Sequence, residues 1–171
     1  HGNQVHIAEM LPCVWPALQR LSDFCQIKLG LIYNIKSLGK INFSNYDAEN
    51  LIIEHIQWDP QKLVSDISEF DVGLLPNQIY ELAEEQEEKY HNLRFKSSAN
   101  PGRFYPFACA GLPVISDFTP SACQYIEDGK SGFLAASPEG YFDALSALYR
   151  DLDLRETMAL NLRSRIKIRS E

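Results

Sequence analysis

Apolar positions set the architecture. Ile7, Leu11, Val14, Leu18 and Leu21 recur at helical spacing and predict a helix from about Val5 to Phe24, broken or kinked where Pro12 and Pro16 each remove a backbone donor. Ile27–Tyr33 (IKLGLIY) and Leu51–Trp58 (LIIEHIQW) read as strands, and Asn34–Asn50 between them reads as a loop with a turn of helix. Asp59-Pro60 opens a helix to about Glu69, and Phe70–Leu75 is a buried strand stopped at Pro76-Asn77. Gln78–Leu93 carries Glu81, Glu84, Glu85, Glu87 and Glu88 around a helical period, an acidic surface insertion whose carboxylates do not converge on a metal. A helix then opens at Asn100-Pro101 and stops at Gly111, followed by a strand, Pro113–Ser116. Thr119-Pro120 caps a helix to about Glu127, Asp128-Gly129 turns the chain, and Ser131–Ala135 is a short strand. Ser137-Pro138 caps a helix to Tyr149, and a last amphipathic helix spans about 153–166.

Helices alternating with short apolar strands predict an α/β fold, a Rossmann-like doubly wound parallel sheet covered on both faces. The chain opens on a helix where such a domain normally opens on a strand, so a first strand is expected upstream, in a longer protein. The 171 residues suit one domain, 1–171. Ligands of such sheets bind beyond the carboxyl ends of the strands, which makes Asn34, Pro76, Asn77, Asp117 and Thr119 the expected pocket rim.

Composition narrows the chemistry. A formal net charge of −7 argues against broad nucleic-acid binding. No apolar run reaches membrane-span length. Cys13, Cys25, Cys109 and Cys123 form no CxxC pair; Cys13 and Cys109 lie among apolar neighbours and are expected as buried free thiols of a cytoplasmic protein. His55, inside a strand, is expected to be a packed or edge residue and not a ligand, and no metal or cofactor is implied. The informative cluster is Lys96, Ser97, Ser98, Asn100, Gly102 and Arg103. Cations and hydroxyls around a helix start, with its free N–H groups, suit a phosphate or diphosphate; the alternative on these residues alone is an ordinary surface helix start with solvated charges.

Ala110–Asp117 (AGLPVISD), Tyr125–Leu134 (YIEDGKSGFL) and Ser137-Pro-Glu139 before a final helix pair resemble the C-terminal domain of GT-B, "group 1" glycosyltransferases. Phe70–Pro76 resembles the strand before their donor loop, so the likeness runs over essentially the whole chain. It implies a half-molecule that binds a UDP- or GDP-sugar, with Lys96 and Arg103 on the diphosphate and the acceptor held by a separate N-terminal domain. The chain departs from the family where two glutamates, E-x7-E, usually contact sugar and ribose: Ser98 and Pro106 stand there. No general base is assigned, so the isolated chain is expected to be inactive. The alternative is a degenerate, non-catalytic module of this fold that serves as a binding or interaction domain. A flavodoxin-like or dinucleotide-binding domain ranks below both, since Gly30 stands alone where GxGxxG would be needed.

Overall fold

The computed structural model describes residues 4–44, 46, 48–76 and 101–170. It is mixed α/β with every strand pair parallel. The elements are α1 (Gln4–Ser22), β1 (Ile27–Tyr33), α2 (Ile35–Leu38), β2 (Leu51–Gln57), α3 (Leu63–Ile67), β3 (Gly73–Leu75), a 3-10 turn (Pro101–Arg103) leading into α4 (Phe104–Ala110), β4 (Val114–Asp117), α5 (Pro120–Tyr125), β5 (Phe133–Ala135), α6 (Pro138–Arg150) and α7 (Leu152–Ser170). The strands form two small sheets, β1-β2 and β3-β4-β5, where the sequence pattern suggests one. In the first, Ile27 pairs with Leu51 and Tyr33 with Gln57; in the second, Gly73 pairs with Val114 and Ile115 with Phe133.

Both sheets feed the same two cores, so they lie in one layer. Ile27, Leu29, Leu51, Ile53, Leu74, Ile115, Phe133 and Ala135 pack with Leu11, Val14 and Leu18 of α1 and with Tyr141, Leu145 and Leu148 of α6. Ile32, Ile56, Leu75, Val114 and Leu134 turn to the other face, against α3, α4, α5 and the Leu162–Ile166 end of α7. This period-two alternation, with both faces covered, is the pattern of a doubly wound sheet.

Local chemistry accounts for most boundaries. Gly111 at φ 75° and ψ 33° ends α4, with its N–H on Ala108 O at 3.3 Å and Leu112 N–H on Phe107 O at 2.9 Å, the paired bonds of a Schellman stop. Thr119 Oγ1 accepts from Ala122 N at 3.0 Å and Ser137 Oγ from Gly140 N at 3.2 Å, so both cap-then-proline starts are as expected. The Asp128–Leu134 turn satisfies itself. Asp128 Oδ1 accepts from Leu134 N at 2.8 Å, and Ser131 Oγ accepts from Glu127 N at 2.8 Å. At Gly132, φ 148°, a Cβ would stand 2.5 Å from the Val114 carbonyl oxygen, so only glycine lets β5 approach β4 there. From α7, Arg165 Nε donates to Tyr125 O at 3.0 Å and Asn161 Nδ2 to Lys130 O at 2.9 Å, holding the turn from outside.

Several expectations are corrected. The α1 helix runs unbroken through Pro12 and Pro16. The helix expected from Asp59 starts only at Leu63, because Asp59 Oδ1 instead closes a turn by accepting from Gln61 N at 2.9 Å. The strand expected over 70–75 is only Gly73–Leu75, and the helix expected to end near Glu127 stops at Tyr125, beyond which Ile126 is extended. Cys109 is exposed, on the outer side of α4; Cys13 is buried as expected. The acidic stretch Gln78–Leu93 lies outside the described residues. Among those described, no helix is long and apolar enough to cross a membrane.

Candidate anion site at the carboxyl end of the sheet

Of the residues assigned to the site from sequence, Asn77, Lys96, Ser97, Ser98 and Asn100 lie outside the described residues. The others separate into two groups. Asp117 and Thr119 are buried, at 0% and 1% exposure, where an open rim would expose them. Asp117 Oδ1 accepts the Tyr141 hydroxyl at 2.5 Å, and Thr119 caps α5. In the structure they are scaffold: they fix the turn between β4 and α5. Asn34 likewise acts on the backbone, its Oδ1 accepting from Ser37 N at 3.3 Å at the start of α2.

Pro76 and Arg103 are brought together. Both line a cavity of about 380 Å³ bounded by β1 and β3, by α1 on one face and by Ile67, Phe70 and Phe107 on the other. Arg103 precedes α4, which runs antiparallel to the strands, so it stands at their carboxyl end. Its guanidinium is half-buried, and among the described residues it has no ion-pair partner. Burial pushes its pKa down from the ordinary value. An arginine stays cationic under any working condition, so this charge is partly desolvated and, among the described residues, has no counter-charge. Gly102, beside it, is exposed.

Topology marks the same place. From β1 the chain steps to β2, away from the cavity; from β2 it crosses back over the cavity to β3 and continues outward to β4 and β5. The winding direction therefore reverses at the cavity. The crevice outside the carboxyl ends at such a reversal is where open α/β sheets take ligands.

A second polar cluster at the end of β1 was not singled out from sequence. The Tyr33 hydroxyl accepts from Ile41 N at 3.0 Å and lies 2.6 Å from His55 Nδ1, and Phe43 stacks on the imidazole at 5.7 Å. His55 is thus packed, as expected. Burial and the nearby Lys40 charge hold its pKa below 6.5. Only the tertiary contact between neighbouring strands and the 41–43 loop creates this cluster. Among the described residues, no group of His, Cys, Asp and Glu side chains could hold a metal ion.

No protein-family model matches the chain, and no curated protein does.

Proposed function

We propose that the chain is the nucleotide-sugar-binding half of a glycosyltransferase of GT-B type, taking the diphosphate of a UDP- or GDP-sugar at the carboxyl end of its sheet. The observation that carries this reading is Arg103, a half-buried cation unpartnered among the described residues, set at the winding reversal and the start of α4. A diphosphate would supply a counter-charge, and a guanidinium binds it with two parallel hydrogen bonds. Lys96 and the Ser97-Ser98 hydroxyls are the proposed companions. In transfer the same cations would stabilise the departing nucleoside diphosphate. The motif likeness over Ala110–Asp117 and Tyr125–Leu134 supports the class. Pro106 stands in the first turn of α4, where a missing N–H costs nothing and no side-chain hydrogen bond reaches a ribose. The usual glutamate contact is therefore replaced or absent. Transfer needs donor and acceptor held together, so the acceptor is assigned to a separate N-terminal domain.

The test is calorimetric titration with UDP, GDP and the matching monophosphates. Diphosphates should bind more tightly, and Arg103→Ala should weaken them about 10- to 150-fold, the equivalent of 1.5–3 kcal/mol for a charge-assisted hydrogen bond. Equal binding of mono- and diphosphates, or none, would favour the non-catalytic module.

A further inference from the structure

We infer that Tyr33, His55 and the loop after α2 form a pH-sensitive latch: neutral His55 holds the loop down across the α1 face of β1 and β2, and protonated His55 lets it go. A chain of rings marks the contact. Trp15 meets Tyr46 edge-on at 4.9 Å, Tyr46 meets Phe43 at 5.8 Å, Phe43 stacks on His55 at 5.7 Å, and His55 meets Tyr33 at 5.8 Å. Phe43 and Tyr46 belong to the loop, while Trp15, His55 and Tyr33 belong to α1, β2 and β1, so the loop is fastened to all these elements at once.

The polar part of the contact sets its response to pH. Tyr33 is fully buried, and its hydroxyl oxygen accepts from Ile41 N at 3.0 Å. The hydroxyl proton needs an acceptor of its own, and His55 Nδ1 stands 2.6 Å away. Nδ1 accepts that proton only in the neutral imidazole whose hydrogen is on Nε2. Protonation puts a hydrogen on Nδ1 and turns an acceptor into a donor. The Tyr33 oxygen then faces two donors, and its own buried proton loses its partner.

The surrounding charges act in the same direction. From the loop, the Lys40 ammonium opposes an imidazolium at His55. From β1 the facing group is the neutral Tyr33 hydroxyl, and α1 contributes Trp15 by way of Tyr46. On β2 itself, Glu54 points to the opposite face and pairs with Lys28 at 3.4 Å. Among the described residues no carboxylate pairs with His55. Burial and Lys40 therefore hold its pKa below 6.5 while the loop is down. In the freed loop the imidazole returns towards its ordinary value. Linkage fixes the sign: the ratio of freed to held loop is constant above about pH 6.5, rises by up to about tenfold per pH unit below it, and levels off beneath the held pKa. The latch is independent of the nucleotide reading, which concerns Arg103.

Amide hydrogen exchange at Ile41, corrected for the intrinsic pH dependence of exchange, reads the release directly. Its protection should be flat from about pH 8 to 7 and fall several-fold, up to about tenfold per unit, as pH drops below about 6.5. Low urea should leave Ile41 unchanged while it lowers the protection of Ile115, which is 0% exposed in the centre of its sheet, because a local opening exposes little new surface. His55→Gln can still accept from Tyr33 and does not titrate, so its Ile41 protection should be the same across the range. Tyr33→Phe keeps the ring, removes the oxygen, and should leave Ile41 poorly protected at every pH. Flat Ile41 protection in the original protein, a pH dependence that survives in His55→Gln, or full Ile41 protection in Tyr33→Phe would overturn the latch. Urea sensitivity at Ile41 equal to that at Ile115 would make the event global unfolding and overturn it as well, and this comparison needs no variant.

Discussion

Tyr141→Phe is the sharpest test of how the carboxyl end of β4 is held. Tyr141 and Asp117 are both fully buried, from elements 24 residues apart in sequence, and their side chains meet at 2.5 Å. The substitution removes one oxygen and leaves the ring, so no sizeable cavity opens. What is lost is a hydrogen-bond donor to a buried carboxyl oxygen that water cannot reach. Asp117 keeps other interactions, so the cost is one bond and not the whole group. Leaving one buried acceptor under-satisfied costs about 1–3 kcal/mol. For a chain of this size each kcal/mol lowers the melting temperature by about 2–4 °C, so a loss near the middle of that range lowers it by roughly 4–8 °C. Thermal unfolding followed by circular dichroism is the assay, with Tyr149→Phe as control. Tyr149 stands on the same helix but is 53% exposed, so its variant should shift nothing measurable. A Tyr141→Phe shift of under about 1 °C would refute the reasoning, because the bond would then carry no net stability.

Gly132→Ala should cost about 3 kcal/mol or more and give little soluble protein, because its Cβ meets the Val114 backbone oxygen at 2.5 Å and no flexible side chain can yield; near-normal yield and melting would refute this. His55 makes stability pH-dependent. Its folded pKa lies below the unfolded value of 6.5, so its contribution is complete above pH 6.5 and falls away as pH drops through the folded pKa. The urea midpoints of the original protein and His55→Gln should therefore converge as pH is lowered from 7.5 towards 5, and a constant gap would show that His55 does not titrate differently on folding.

The local grammar of the chain was legible. The span Ile27–Tyr33 is the observed first strand, and Gly111, Thr119 and Ser137 perform the stops and caps that their residue types announce. These are short-range effects, decided within a few residues. What was illegible depended on distant partners. Asp117 at the end of a strand looks like a rim carboxylate until Tyr141 is seen to cover it. Asp59 is a good cap by type, yet its side chain is used two residues on, and the helix waits until Leu63. Cys109 has apolar neighbours in sequence, but on a helix those neighbours point elsewhere, and it is exposed. The division of the strands into two sheets has no local signal, because pairing is a property of two strands and not of one.

The turn before β5 and the cation before α4 do different work, and this yields the last prediction. In Asp128–Leu134 the polar contacts turn inward: Asp128 holds Leu134 N, Ser131 holds Glu127 N, and Gly132 makes room for β4. A segment so internally satisfied is scaffold. Arg103 is the opposite. It stands at the start of α4, where the positive end of the helix opposes a cation, it is half-buried, and it has no ion-pair partner among the described residues. Residues that break a local rule without local compensation concentrate where function demands them. Arg103→Met keeps much of the apolar stem, removes the charge, and relieves both the dipole opposition and the desolvation. In the ligand-free protein it should raise stability by about 0.5–1 kcal/mol, or roughly 1–3 °C in melting temperature. Added UDP or GDP should raise the melting temperature of the original protein and not of the variant, since a ligand stabilises only the state that binds it. A variant that melts several degrees lower without ligand would make Arg103 a structural residue, and the site would have to be sought elsewhere along the carboxyl end of the sheet.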